Sequence, residues 1–181
     1  MKSLQETNIP GVYEIEMFHL ADDRGVFVKP YHKNTLEKWG LESEFRESFY
    51  SINQKGVVRG MHFQNPPDDH AKLIYCSSGK LVDIILDIRV GSPTYGKFAQ
   101  VELSGDNYKA VYLPKGVAHG FCVLENNTCM VYLTSTVHSP QNDAGVLWNS
   151  FGCDWPVENP INSDRDKNFP SLANLKSPFN F

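Results

Sequence analysis

The 181-residue sequence has no apolar run near the roughly 18 residues that a membrane-spanning helix requires. It also has no surplus of basic residues, because 17 Lys and Arg stand against 21 Asp and Glu, for a net charge of -4. Nucleic acids and anionic membranes bind basic surfaces, so neither is expected as a partner. An anionic ligand would have to be held by a local cluster of Arg, Lys and His.

Paired cysteine motifs are missing too. The four cysteines, Cys76, Cys122, Cys129 and Cys153, show no CxxC spacing, and the first residues do not resemble a secretory leader. We therefore expect reduced thiols in a cytoplasmic protein, with three of the four in strand-like segments as small buried side chains.

Helical periodicity is scarce. The sequence predicts one clear helix, with Asn34 as its cap, residues 35–39 as its body and Gly40 at its end. Most other segments alternate with period two; residues 81–88, for example, predict a strand with one apolar face. Turn signals separate these segments at intervals of about ten residues, which is typical of an all-β sandwich or barrel. We predict one domain, residues 1–181, with a polar tail after Trp155 that wraps over the barrel.

Several of the predicted strands carry side chains suited to proton transfer on an anionic substrate. Arg59 and His62 lie on one such strand, Lys72 begins the next, and His119 follows a Pro/Gly turn. His62 alternates with small or polar neighbours, which suits a ligand cavity inside a barrel. Lys72 is either an enolate-stabilising ammonium or a charged residue protecting an edge strand.

Two further residues also have two interpretations each. Tyr132 is either a buried structural tyrosine or, if it faces His62, an acid that returns a proton. Arg24 lies in a segment that first indicates a hairpin turn, and its guanidinium could also bind a phosphate.

The segment Pro114–His119 has the P-x-G-x-x-H spacing of the second half of the cupin signature. The first half, H-x-H-x(3,4)-E, is missing: Gln64 stands where the second histidine would be, and the next acidic residues, Asp68 and Asp69, lie in a Pro-rich loop. A metal site needs at least three such ligands. We therefore predict a cupin without a metal ion or other cofactor rather than a metallo-cupin.

Taken together, these segments resemble the dTDP-4-dehydrorhamnose 3,5-epimerase family. The resemblance covers most of the chain through ordered motifs: 23–27, 59–64, 72–73, 87–89, 92–96, 114–121, Tyr132, 147–149, 155–156 and 163–166. It implies an all-β cupin jelly-roll barrel with short peripheral helices. It also implies a homodimer that epimerises a nucleotide-linked 4-keto-6-deoxyhexose at C3, C5 or both.

The resemblance also implies roles for individual residues. His62 would be the base, Asp166 the carboxylate that orients it, Tyr132 the acid on the opposite ring face and Lys72 the cation beside the 4-keto oxygen. Arg24, Arg59 and His119 would hold the substrate and its diphosphate. The remaining predicted substrate-binding residues are Phe27, Lys29, Glu47, Phe49, His138, Asp143 and Arg165.

The departures from the family pattern fall at the nucleotide end. Lys29 replaces a glutamate, Glu47-Ser48-Phe49 replaces Gln-Asp-Asn, and His138 replaces the tyrosine that stacks on the base. A CDP-linked or other nucleotide-linked keto sugar, epimerised at a single centre, is thus an alternative substrate.

Three other functions are alternatives to the epimerase: a non-catalytic sugar-binding cupin, a ketoisomerase and a metallo-cupin oxygenase. Neither the sugar-binding cupin nor the ketoisomerase would be expected to keep His62, Tyr132 and Asp166 together.

Overall fold

The computed structural model describes all 181 residues, and thirteen β-strands dominate it. In chain order they are β1 (Ser3–Glu6), β2 (Tyr13–Glu16), β3 (Phe18–Asp22), β4 (Gly25–Lys29), β5 (Glu47–Asn53), β6 (Val58–Gln64), β7 (Lys72–Ser78), β8 (Lys80–Asp87), β9 (Phe98–Ser104), β10 (Lys109–Leu113), β11 (Val117–Val123), β12 (Thr128–Thr134) and β13 (Asp143–Gly145). The two short helices are α1 (Lys33–Lys38) and α2 (Asp164–Lys167), and Leu172–Asn174 form a single 3₁₀ turn. Neither helix is long and apolar enough to cross a membrane.

Two antiparallel sheets face each other and form the predicted barrel. The larger has the strand order β1-β2-β10-β7-β12-β5, and the smaller has the order β13-β6-β11-β8-β9. Between them lies a core of 16 buried apolar residues, including Ile74 and Phe121 from opposite sheets. Strands with alternating apolar residues form such a two-sheet sandwich when their apolar faces point inward. The predicted all-β cupin-type architecture is confirmed.

Strand β8 corrects the prediction of a strand with a single apolar face. From Asp83 to Asp87 every residue is buried, because β8 lies between β11 and β9 and is covered on its outer side as well. Ile84 and Leu86 belong to a second apolar cluster that contains Phe179 from the C-terminal tail. The tail therefore covers the barrel, as its position after Trp155 predicted.

The helix prediction was nearly right but wrong at its start. Helix α1 runs over Lys33–Lys38 with His32 in the N-cap position, so Asn34 lies inside the helix and does not cap it. The His32 ring reaches the Thr35 hydroxyl at 3.0 Å, an interaction that a preference for Asn at the cap does not anticipate. Gly40 follows the helix with a φ of +72°, which suits glycine after a helix end.

The segment around Asp87 stabilises the fold and does not line the pocket. The Asp87 carboxylate accepts hydrogen bonds from Arg89 at 2.8 and 2.9 Å, and from Ser92 and Thr94 at 2.6 Å. Burial alone would raise the pKa of Asp87, but these hydrogen bonds outweigh it and lower the pKa to about 2. The buried charge is thereby compensated, and the turn after β8 is fixed.

Candidate active site

A cavity of about 280 Å³ opens between the two sheets at one end of the barrel. Three of the four predicted catalytic residues line it: His62, Lys72 and Tyr132. Seven of the ten predicted substrate-binding residues line it as well: Glu47, Phe49, Arg59, His119, His138, Asp143 and Arg165. Residues that are far apart in the sequence therefore meet in a single pocket.

His62 and Asp166 form a hydrogen-bonded pair at the edge of this pocket. His62 Nε2 lies 2.9 Å from Asp166 Oδ1, and Asp166 Oδ2 accepts a 2.9 Å hydrogen bond from the Gly60 N–H. An ionised carboxylate only accepts hydrogen bonds, so Nε2 carries the hydrogen and Nδ1 is left as the basic nitrogen. The pair has the arrangement needed for a general base with an orienting carboxylate.

The electrostatics of Asp166 keep it ionised. Burial raises its pKa, but hydrogen bonds from His62, Gly60 and Ser163 more than offset this, and the pKa lies below the ordinary value for aspartate. Ser163 caps α2 by accepting from the Asp166 N–H at 3.1 Å, which fixes the backbone that carries the carboxylate. A negative charge is therefore available to stabilise an imidazolium at His62.

Gly60 makes this arrangement sterically possible. Its φ is +121°, and a Cβ built there would lie 2.5 Å from the Gly120 Cα on the neighbouring strand. Only glycine allows β6 and β11 to approach so closely while the Gly60 N–H points to Asp166. The strands then place His62 directly opposite His119.

Lys72 lies at the start of β7, with its Nζ 3.4 Å from the His62 carbonyl oxygen. Strand β7 is flanked by β10 and β12, so the alternative that Lys72 protects an edge strand is wrong. Burial lowers the pKa of Lys72 to about 8, although Asp83 and Asp143 favour its charged form. Near neutral pH most of the population carries an ammonium, which can stabilise a developing oxyanion.

Tyr132 is 8% exposed and enters the pocket from the larger sheet. Burial raises the pKa of its phenol well above the ordinary value, and the Ser51 hydroxyl only partly opposes this. The side chain is therefore a protonated phenol over the whole neutral range. This is the state that an acid donating a proton requires.

The second histidine of the pocket has a partner that sequence reasoning did not single out. His119 Nε2 lies 2.5 Å from Asp83 Oδ1, and both side chains are buried. Burial lowers the pKa of His119 and raises that of Asp83, so both shifts favour the neutral forms. Asp83 occupies the inward face of β8. The alternating pattern of residues 81–88 was the one sequence feature that pointed to Asp83. This pattern does not identify which face of the strand lines a cavity.

Ion pairs and hydrogen bonds organise the mouth of the pocket. Arg165 binds Asp143 through Nη2 at 2.7 and 2.8 Å, so the charges of these two predicted substrate-binding residues largely compensate each other. The Glu47 carboxylate accepts the His138 backbone N–H at 2.7 Å. Arg59 donates to the neutral Asn53 side chain at 2.8 Å, so this contact leaves its positive charge uncompensated.

The other three predicted substrate-binding residues are not brought to the pocket of this chain. Arg24, Phe27 and Lys29 lie on the β3–β4 hairpin, which pairs with no other strand. Arg24 forms a 2.6 Å ion pair with Asp22, so the hairpin interpretation of this segment is confirmed. Phe27 is 58% exposed and, with Arg24, lines a separate surface groove.

No group of three or more His, Cys, Asp or Glu side chains is arranged to hold a metal ion. The four cysteines are free thiols, and none of them lines the pocket. Among the groups that line the pocket are the His62 imidazole, which is paired with Asp166, the Tyr132 phenol, the Lys72 ammonium and the Arg59 guanidinium.

Comparison with known proteins points to a single enzyme family. Residues 6–174 match the family model described as dTDP-4-dehydrorhamnose 3,5-epimerase. A protein of that name from Shigella flexneri is 39% identical over 166 residues, which is 90% of this chain and 92% of the relative. A dTDP-4-dehydrorhamnose 3-epimerase from Streptomyces niveus is 37% identical over 176 residues, with 96% and 85% coverage.

A solved structure has the same fold. The dTDP-4-dehydrorhamnose 3,5-epimerase from Bacillus anthracis, with TDP and PPi bound, superimposes with a TM-score of 0.90 at 38% sequence identity. The superposition covers 93% of this chain and 98% of the other. The residues matched by the family model, 6–174, include every residue that lines the pocket.

Proposed function

The chain belongs to the dTDP-4-dehydrorhamnose 3,5-epimerase family, and from this premise we propose how its pocket carries out the reaction. The protein is an isomerase that epimerises a nucleotide-linked 4-keto-6-deoxyhexose at C3, C5 or both. These are the two carbons next to the C4 ketone, where a hydrogen is acidic enough to be removed once an enolate is stabilised. His62, Asp166, Lys72 and Tyr132 supply the chemistry.

Each inversion begins when His62 Nδ1 removes the hydrogen from the carbon beside the ketone. The C–H electron pair becomes the enolate double bond, and negative charge collects on the C4 oxygen, where the Lys72 ammonium stabilises it. Asp166 holds the imidazole in orientation and stabilises the imidazolium that forms. Tyr132 then donates its phenol proton to the opposite face of the same carbon. Proton exchange with solvent restores both side chains.

The observation that carries this proposal is the placement of base and acid on opposite walls. His62 lies on β6 in the smaller sheet and Tyr132 lies on β12 in the larger one, and both line the same cavity. A sugar ring bound between the sheets therefore presents one face to the imidazole and the other to the phenol. Removal from one face and delivery to the other is inversion of configuration.

Incubation of the protein with dTDP-4-keto-6-deoxyglucose in D₂O, followed by NMR, tests this function. We expect solvent deuterium at each carbon whose configuration changes, so the spectrum also reports whether C3, C5 or both react. A ketoisomerase would move the carbonyl to another carbon, and a sugar-binding protein without activity would leave the substrate protonated and unchanged. Either outcome would contradict the proposed reaction.

A homodimer completes the site in this proposal. The cavity of about 280 Å³ is at the lower end of the range typical of small-molecule pockets, and we propose that the nucleotide extends beyond its mouth. The β3–β4 hairpin exposes Leu20, Val26 and Phe27, an apolar surface of the kind that marks an interface. We propose that the hairpin of each subunit covers the pocket mouth of the other.

Mixing two inactive variants tests the dimer. One carries His62→Ala, and the other carries Arg24→Ala with Phe27→Ala in the hairpin. In a mixed dimer, the hairpin variant keeps an intact His62 pocket, which receives the intact hairpin of the other subunit. Random reassociation should then restore about a quarter of wild-type activity, since half of the dimers have one complete site. No recovery after confirmed exchange, or a fully active monomer, would contradict the arrangement.

The identity of the substrate's nucleobase is the subject of a separate prediction. Glu47 and Phe49 stand where the family pattern has amide side chains, and neither carries an amide. The Glu47 carboxylate accepts a hydrogen bond from the His138 backbone, and the Phe49 ring stacks on Tyr132. We expect CDP or UDP to compete with dTDP within about tenfold, or roughly 1.4 kcal/mol. Calorimetric titration of dTDP, CDP, UDP and GDP measures this. A preference for dTDP of about a hundredfold or more would contradict the prediction.

A further inference from the structure

Phe49 is one of the residues that depart from the family pattern, and in the structure it contacts a specific neighbour. Its ring stacks on the Tyr132 ring with centroids 4.6 Å apart and an interplanar angle of 15°. The two residues are directly opposite each other in the antiparallel pairing of β5 with β12. Cross-strand partners share a face of the sheet, so Phe49 enters the pocket beside the phenol.

The Tyr132 ring is bounded by a second ring. The His119 ring lies edge-on to Tyr132, with centroids 6.0 Å apart at 76°. His119 is itself held by its short contact with Asp83. Tyr132 therefore has a stacked contact from the edge strand β5 and an edge-on contact from the central strand β11. Rotation of the phenol away from its present position would break one or both contacts.

Phe49 also separates Tyr132 from solvent. Phe49 is 46% exposed at the pocket wall, whereas Tyr132 behind it is 8% exposed. Strand β5 is the last strand of its sheet, so no further strand shields the phenol on that side. Removing the Phe49 ring would open a gap next to the phenol, admitting water and giving the side chain room to move.

We infer that Phe49 is a positioning residue that holds Tyr132 where its hydroxyl can deliver a proton to the sugar carbon. This rests on the proposed role of Tyr132 and extends it to a side chain that would otherwise be taken only as a nucleotide contact. Proton delivery depends on placement, since a displacement of about 1 Å can reduce a rate on the order of 10²-fold. Proton removal by His62, on the opposite sheet, does not depend on Phe49.

The test compares two rates in D₂O: deuterium incorporation into recovered substrate, and formation of inverted product. In Phe49→Ala, measured at saturating substrate, we expect the amount of inverted product formed per exchange event to fall by about tenfold or more. A residue with only a structural or binding role would lower both rates together. Tyr50→Ala is the matched control, because Tyr50 is the next residue on β5, points to the other face and is 67% exposed.

Two more variants keep the test decisive. Phe49→Tyr preserves a stacking ring and should restore inversion, and adding Tyr132→Phe to it should abolish inversion again, which excludes the new hydroxyl as the acid. If Tyr132→Phe alone still inverts normally, the proposed acid is wrong. If Tyr132→Phe uncouples the two rates but Phe49→Ala does not, the acid stands and the inference about Phe49 is overturned. Proportional loss of both rates in Phe49→Ala would also overturn it.

Discussion

Replacing His62 with alanine should abolish both hydrogen exchange and inversion, with a loss of about 10²–10⁴-fold or more. His62 is the one imidazole in the pocket whose partner is a carboxylate held in the ionised state, at 2.9 Å. The other histidine with a carboxylate partner, His119, is buried, and burial lowers its pKa, which makes it less basic than an ordinary imidazole. We therefore do not expect His119 to replace the base.

The measurement is deuterium incorporation together with product formation, since loss of the base stops both. His32→Ala provides the matched control, because His32 is exposed beside α1 and lies outside the pocket. Retained dTDP binding by calorimetry shows that the His62 variant is folded. Wild-type turnover in His62→Ala would mean that another group removes the proton.

The base and its carboxylate illustrate what the sequence could predict. His62 was identified by alternation on a strand, and Asp166 by its place in the motif 163–166, and the structure places the two in contact. Such motifs are local and carry their own backbone requirements, for example the glycine at position 60. Period-two patterning likewise predicted central strands such as β7, β8 and β12, because the buried faces of both sheets must be apolar.

Other features could not be predicted because they depend on which strands become neighbours. Asp83 appeared to be on the polar face of a strand, but that face carries Leu81 and Ile85 into the core, and Asp83 contacts His119 of the neighbouring strand β11. Phe49 was assigned to the nucleotide by its place in the resemblance, yet the pairing register puts it against Tyr132. A one-residue difference in register would turn either side chain to the opposite face.

The β3–β4 hairpin shows a third reason why part of the site could not be predicted from the sequence. Its turn was predicted at residues 22–25, and the β3–β4 pairing confirms it. The sequence does not show where this hairpin projects, because in the proposed dimer its position depends on the second subunit. Arg24, Phe27 and Lys29 therefore remain predicted substrate-binding residues whose site is complete only in the proposed dimer.

The second large effect is expected for Tyr132→Phe, which should lose inverted product by about 10²-fold or more while keeping solvent exchange. Phenylalanine preserves the ring that stacks on Phe49 and contacts His119, so only the hydroxyl is lost. His62 and Lys72 still form and stabilise the enolate. Without an acid on the far face, the enolate is reprotonated from the side of His62, which returns deuterated substrate with its original configuration.

The NMR signature of this variant is substrate that gains deuterium without a matching gain of epimer. Tyr75→Phe is a matched control, since Tyr75 lies on β7 among the residues of a separate apolar cluster outside the pocket. Because burial raises the pKa of Tyr132, the wild-type enzyme should not lose inversion through ionisation of this phenol as pH rises from neutral to mildly alkaline values. Equal loss of exchange and inversion in Tyr132→Phe would instead place the hydroxyl in enolate formation, and the assignment of separate groups to proton removal and proton delivery would be wrong.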